Sequence, residues 1–302
     1  MSRKPHTSSH DLRRAAWHAT AAAGSFACMG ALAKASSQHG ASEALIVFIR
    51  NLVGVLVLLP WVIRNGPQSL HTTRFGGHLW RALFGLCGMY TLFYAITHLP
   101  LAEALLLNYA SPLFIPFIAW AVLSERPNAL MIPASLLGIA GVALIVKPAA
   151  LGFSFAAWVG AASGVFAACA MVSLRRISDT EPAQRVVFYF SAIGVVISAI
   201  PLWWLASLPS PTVLLWMAAT GLAATNGQLQ LTRAYSHAPA ARVGAMGYSA
   251  VVFAGLIGWF AWGETPDRYS ALGAVLVIGT CVLASWQRAP RSAPITPEDA
   301  AS

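Results

Sequence analysis

Side chains suited to covalent chemistry are few here and scattered. The 302 residues carry ten Asp and Glu together, eight His and four Cys. Metal or phosphoryl chemistry needs such groups clustered at matched spacing. Asp11, Asp179, Asp267 and Asp299 all fall outside the apolar runs. The chain has no HExxH, no P-loop and no Ser/His/Asp set at a shared depth. Cys28, Cys87, Cys169 and Cys281 lie inside apolar runs without metal-ligand spacing, and read as small packing residues. An enzyme is therefore not expected, nor is a metal or cofactor. What the chain offers instead is binding chemistry set within apolar sequence.

Arg50, with Asn51 beside it, sits well inside an apolar run. A charge in hydrocarbon is expensive, so a functional role is the default reading. It could anchor a substrate carboxylate. It could instead pair with Glu43, two turns earlier on the same helix face, and we favour that ion pair. Tyr90 and Tyr94 are four residues apart and share a face. Asn108, Tyr109 and Tyr248 add amide and aromatic groups, and Thr225, Asn226, Gln228 and Gln230 form the most polar patch in any run. Facing lipid, such groups are poorly satisfied, so they are expected to face the interior or a wet cavity. The set Tyr90, Tyr94, Asn108, Tyr109, Asn226, Gln228 and Tyr248 is thus expected to line one central substrate site. The plainer reading of the same residues is interhelical hydrogen bonding. Trp17 and Trp158 are weaker members, because an interfacial aromatic belt also accounts for them. Pro112 and Pro116 interrupt one helical ladder, either as a hinge or, the reading we favour, as a static kink. Gly160 and Gly164 give another helix a face for close packing.

These residues need helices long enough to cross a membrane. Of the chain, 57% is hydrophobic and only 10% charged, where soluble domains carry about 25% charged residues. The mean hydropathy is +0.65. Spans of about 20 apolar residues are expected at 15–33, 43–63, 79–97, 101–123, 129–147, 152–173, 185–206, 211–232, 240–262 and 269–287. Residues 1–14 read as a cytoplasmic tail and 288–302 as a disordered one. Arg3, Lys4, Arg13 and Arg14 before an apolar run, then Ala31-Leu32-Ala33, imitate a cleavable signal. The run is longer than a typical signal core, so no cleavage is expected. The net charge of +9 does not indicate nucleic acid, because the basic residues sit at run ends without aromatic interleaving. With the N-terminus inside, Arg64, Arg74, Arg81, Arg126, Arg175, Arg176, Arg185, Arg233, Arg242, Arg288 and Arg291 are inside too. Only Lys34, Lys147 and Arg268 are outside. Both termini are therefore expected in the cytoplasm, with the protein in a bacterial inner membrane.

The chain repeats itself. HLPLAEALLLNYASPLFIPFIAWAVLSERP, from His98, matches HAPAARVGAMGYSAVVFAGLIGWFAWGETP, from His237. A constant register pairs Pro100 with Pro239, Tyr109 with Tyr248, Trp120 with Trp259 and Glu125 with Glu264. Upstream, Trp17 pairs with Trp158, Cys28 with Cys169 and Pro60 with Pro201. Each half holds five spans, an odd number, so the second enters the membrane inverted. The expected fold is all-α integral membrane, ten transmembrane helices as two inverted five-helix repeats, at 15–147 and 152–287. Many secondary transporters share that architecture, with sites near the midplane.

These spans and the repeated His-x-Pro and Trp-x(4)-Glu segments resemble the EamA-type members of the drug/metabolite transporter superfamily, and most of all its bacterial aromatic amino-acid exporters. The resemblance implies a basket of spans 1, 3, 4, 6, 8 and 9 around a central cavity, with spans 5 and 10 at the periphery. It also implies export of amino acids or related small molecules. An arginine at the place of Arg50 is similar to one in EamA-type second helices, which favours its structural reading. The expected partners are a small-molecule substrate and the lipid bilayer; a homodimer is left open. A vitamin, nucleoside or cationic drug suits the same tyrosines and amides, and a non-transporting receptor or scaffold is the remaining rival. Glu43 and Glu103, the only carboxylates within spans, lie near outer ends. Facilitated diffusion is therefore expected, the alternative being proton coupling through Glu103. Glu125 and Glu264 are expected to satisfy backbone donors at helix ends.

Overall fold

The computed structural model describes residues 9–123, 131–146, 154–177, 181–204, 209–237, 247 and 249–286, and its regular elements are all helical. They are α1 (Ser9–Gln38), α2 (Glu43–Asn65), α3 (Phe75–His98), α4 (Leu101–Tyr109), α5 (Ser111–Leu123), α6 (Met131–Val146), α7 (Phe155–Ile177), α8 (Ala183–Ala199), α9 (Pro211–His237), α10 (Ser249–Trp262) and α11 (Arg268–Trp286), with 3-10 turns at Pro67–Leu70 and Ile200–Trp204. Each expected span overlaps one of these helices, the fourth overlapping two and the seventh running on into the 3-10 turn after α8; residues 240–246 and 248 of the ninth lie outside the described residues. The chain breaks at Ala110, whose N–H turns back to Leu107 O at 3.3 Å. Pro112 lies in the first turn of α5, where its missing N–H costs no helical bond. Pro116 is carried within α5.

Local chemistry sets the helix ends. Ser42 caps α2, its Oγ accepting from Leu45 N at 3.3 Å. Glu43 in the first turn and Arg64 in the last both suit the helix dipole. Gly66, at φ 73°, then ends the helix in a conformation that glycine adopts without strain. Among the described residues, four stretches are long and apolar enough to cross a membrane: Glu43–Asn65, Phe75–His98, Phe155–Leu174 and Ala183–Trp203. Leu101–Ile115, Ser249–Trp262 and Arg268–Thr280 are shorter apolar helices.

The most extensive packing is between α1 and α9. Ala15, Ala19, Ala22, Ala23, Ala27 and Ala33 are all buried on α1. Such a stripe of small residues lets backbones approach closely, which is how helices gain contact when water supplies no drive. The same device joins α7 to α4. A methyl group on Gly164 would meet Leu107 O at 2.5 Å, and one on Gly160 would meet Leu107 Cδ1 at 2.8 Å. Further packing joins α3 to α7, α2 to α8 and α9, and α1 to α10, while α6 and α11 pack chiefly on each other. Outward, Trp203, Phe260, Trp17 and Ile63 are each more than two-thirds exposed. An apolar surface of that kind is suited to lipid.

Candidate functional site

Charges at one end of the bundle are paired. Lys34, near the end of α1, forms an ion pair with Glu264, just past α10, and its Nζ also donates to Leu99 O at 2.7 Å. The other Glu264 oxygen accepts the N–H of Leu101, the first residue of α4, at 2.7 Å. Glu264 thus serves a helix-end donor as expected, but of a helix other than its own. Glu125 lies outside the described residues. Trp262 packs under Lys34, 5.5 Å from its ring centre, and donates its indole N–H to Gln38 Oε1 at 2.7 Å.

The opposite end has its own network. Glu181, just before α8, accepts from Thr72 Oγ1 at 2.5 Å and from Arg185 Nη1 at 2.7 Å. Arg185 Nε donates to Ser69 O at 2.6 Å, and the Tyr189 hydroxyl donates to Leu70 O at 2.7 Å. The turn before α3 is thereby tied to α8. Burial alone would raise the Glu181 pKa. The hydrogen bonds from Thr72 and Arg185, with the charges of Arg185 and His78, outweigh that and hold it below its ordinary value.

Between these ends the arrangement differs. Arg50 on α2 and Arg81 on α3 are 6% and 7% exposed. Their guanidinium carbons lie 5.2 Å and 4.6 Å from the centre of one ring, that of Phe190 on α8. Arg50 donates to Asn51 Oδ1 at 2.8 Å, and Asn51 in turn donates to Val47 O at 2.9 Å. The Nε atoms of both arginines are buried without a hydrogen-bond partner. Among the described residues neither forms an ion pair. Gly85 makes the space: a methyl group there would meet Phe190 Cε2 at 2.5 Å and Arg81 Nη1 at 2.6 Å. A desolvated cation over a ring gains about 2 kcal/mol. Burying an ion costs several kcal/mol even after relaxation. Two ring contacts and one amide do not offset two such costs.

The expected Arg50–Glu43 ion pair is therefore corrected. The helix face is shared, but Glu43 Oε1 accepts from Thr97 Oγ1 at 3.3 Å while Arg50 turns to Phe190. Glu43 instead helps to line an open recess of about 400 Å³ with Ala44, Tyr90, Thr91, Tyr94, Phe155 and Val159. Tyr94 stacks on His98 at 4.2 Å and meets the edge of Phe155 at 6.0 Å. The Tyr90 hydroxyl is buried without a partner.

The other expected site residues that are described do not line that recess. Asn108 donates to Ser163 Oγ at 3.2 Å, joining α4 to α7. Tyr109 packs among apolar residues of the core. Asn226 is exposed and donates to Ser25 Oγ on α1 at 2.9 Å. Gln228 is half-buried, and Gln230 meets His18 Nδ1 at 2.8 Å. Glu103 is buried on α4. Trp17 and Trp158 are exposed. Tyr248 lies outside the described residues. Sequence reasoning missed Arg81 and Phe190. The available signal was Gly85, one turn beyond Arg81, in an apolar run that also holds Gly88.

Long apolar helices, lipid-suited surface and buried polar groups between helices define a multi-pass membrane protein. The EamA-like transporter family model matches residues 14–147 and again 154–286, and the chain belongs to that family. It is thus a membrane transporter. It is 36% identical over 264 residues to the pseudopaline exporter CntI of Pseudomonas aeruginosa (strain UCBPP-PA14), covering 86% of this chain and 92% of that one. It is 26% identical over 285 residues to a riboflavin transporter of Vibrio cholerae, covering 92% and 95%. An S-adenosylmethionine uptake transporter of Rickettsia conorii is 26% identical over 238 residues, covering 78% of this chain and 80% of that one. A protein of known crystal structure matches with a TM-score of 0.59 at 23% identity, covering 89% of this chain and 96% of that one. That last likeness speaks to the fold alone.

Proposed function

We propose that this transporter exports amino acids, aromatic and other neutral ones, or related small metabolites, by alternating access through a central cavity. The recess carrying Tyr90 and Tyr94 is the observation that carries this reading. Two tyrosines on one helix face offer aromatic surface, and Tyr94 a hydroxyl, to a polar-aromatic solute. The exporter named at 36% identity supports the direction.

The inverted five-helix repeat is supported by the packing. The helix pairs α1–α9, α2–α9 and α1–α10 exchange with α7–α3, α8–α3 and α7–α4 when the two halves are swapped. The two family matches, 14–147 and 154–286, favour the same division. The halves then rock about a midplane site. Arg50 and Arg81 are the deep charges, and arginine releases no proton at physiological pH, which favours facilitated diffusion. Placement in the bacterial inner membrane with both termini cytoplasmic follows from the arginine asymmetry.

The test is flux in proteoliposomes against a panel of radiolabelled amino acids and vitamins, with and without a pH gradient. Equilibration of an amino acid, unaffected by the gradient, is the expected result. The second reading is proton-coupled transport of a vitamin, nucleoside or drug. The riboflavin and S-adenosylmethionine relatives and the buried Glu103 favour it. Gradient-dependent accumulation that vanishes in Glu103→Gln would establish it in place of the first. Cysteine labelling from each side tests orientation, and external reaction at position 74 overturns the inverted arrangement.

A further inference from the structure

We infer that Arg50 and Arg81 form a binding site for the carboxylate groups of the transported molecule, and that it favours solutes with two carboxylates. The inference rests on the reading of the chain as a transporter, and within that reading it selects related small metabolites that carry two carboxylates over the neutral amino acids.

The argument begins with unmet valence. A guanidinium has five N–H donors in a rigid planar fork, matched to carboxylate geometry. Arg50 uses one of them on Asn51, and the Nε donors of both arginines are buried with no partner. The acidic groups for which a bond is described are engaged elsewhere: Glu43 with Thr97, Glu181 with Thr72 and Arg185, Glu264 with Lys34 and Leu101, and Asp267 with the Ser270 N–H. Two like charges on one ring repel each other and cannot be each other's partners. An anion between them would meet both donor sets and cancel both charges.

Position narrows the choice of anion. Arg50 lies about two turns inside α2, and Arg81 more than one turn inside α3. Both point to Phe190, where α2, α3 and α8 meet. A lipid phosphate at the membrane surface does not sit at that depth. A transported solute passes through it. Phe190 holds both guanidiniums on one ring, and Gly85, lacking a side chain, lets that ring and the Arg81 fork pack against α3. Two forks call for two carboxylates, with a single carboxylate held less well. The other source of negative charge is an inorganic counter-ion such as chloride.

The experiment is thermal unfolding of the purified full chain in detergent, followed by tryptophan fluorescence, at matched ionic strength. The probes are sodium glutarate, sodium citrate, phenylalanine and sodium chloride. Glutarate or citrate is expected to raise the midpoint by several degrees, phenylalanine by less, and chloride not at all. Arg50→Leu and Arg81→Leu are each expected to abolish the dicarboxylate shift. Their ligand-free midpoints should hold or rise, since an uncompensated cation has been removed. Where a leucine variant fails to fold, Arg50→Lys and Arg81→Lys keep the charge and lose the fork, and a weakened dicarboxylate shift is expected. Equal shifts from chloride and glutarate, no shift from any dicarboxylate, or a full shift in the variants would each overturn the site. So would a fall in the ligand-free midpoint of both leucine variants, which marks a structural role. This assay measures binding alone. Absence of flux in proteoliposomes sinks the transport reading and leaves the binding result standing, and the converse also holds.

Discussion

At the two ends of the bundle, buried charges sit beside opposite ones: Lys34 with Glu264, and Arg185 with Glu181. Between them, Arg50 and Arg81 share the ring of Phe190 and, among the described residues, form no ion pair. The paired ends hold helices to helices and loops to helices, and their energetics are complete within the chain. The middle is incomplete, because among the described residues the Nε donors of both arginines have no acceptor. A charge that the fold leaves unmatched, at a depth where mismatch is costly, indicates something that arrives from outside.

The sharpest way to break this comparison is at the Lys34 end. Glu264→Gln leaves a buried ammonium without its carboxylate. It should cost about 3 kcal/mol of stability, read as a lower unfolding midpoint in detergent. Lys34→Met combined with Glu264→Leu removes both charges and should recover much of that loss. If the double variant is no better than the single, the pair has a role beyond neutralisation.

The opposite end should give a smaller effect with a pH signature. Glu181→Gln loses charge-assisted bonds from Thr72 and Arg185, at about 2 kcal/mol. The Glu181 pKa is lowered on folding from an ordinary value of 4.5. Its contribution is therefore fully present above about pH 4.5. Below that the unfolded chain takes up the proton first, and stability falls until the folded carboxyl is protonated too. Unfolding midpoints measured from pH 7 down to pH 3.5 should fall more steeply for the parent protein than for Glu181→Gln.

Arg81→Leu sharpens the comparison from the other side. Removing an uncompensated buried cation should leave ligand-free stability within about 1 kcal/mol of the parent, or above it. The smallest effect belongs to Tyr90→Phe. Its hydroxyl has no partner to lose, so stability should change by less than about 0.5 kcal/mol. Tyr94→Ala, which removes the stack with His98 in the recess, should lower flux several-fold with normal expression.

The helices were legible from apolar runs because hydropathy reports burial in lipid or protein directly. Glu43–Asn65 was expected at 43–63, and Phe155–Ile177 at 152–173. The break at Ala110 was legible from Pro112 but not from hydropathy, because Leu, Ala and Phe continue on both sides and hydropathy is blind to a lost hydrogen bond. Arg81 was misjudged for a related reason. The span was expected at 79–97, which put Arg81 at its cytoplasmic end. The helix begins at Phe75, so Arg81 is carried inward. Glu43 and Arg50 do share a face, as spacing indicated, but spacing cannot show that Phe190 and Thr97 take the two partners apart. The tyrosine pair was legible for the opposite reason: both members lie on one helix, where periodicity alone places them together. Tyr248, Asn108 and Asn226 lie on different helices, and their convergence depends on how those helices pack.

The unmatched arginines also bear on voltage. Each keeps its charge at physiological pH, so an empty carrier holds two permanent positive charges within the thickness of the bilayer. A charge crossing the whole membrane field gains or loses about 2.3 kcal/mol per 100 mV, and one crossing part of it a proportionate share. With a dicarboxylate bound, the charges cancel and the loaded step is indifferent to the field. With the site empty, a negative cell interior draws the pair towards the cytoplasmic side. The electrical work is then done on the return stroke, resetting the carrier to the side where cytoplasmic cargo loads. Export down its own gradient gains a directional bias in this way, and the current it generates belongs to the empty protein rather than to the cargo.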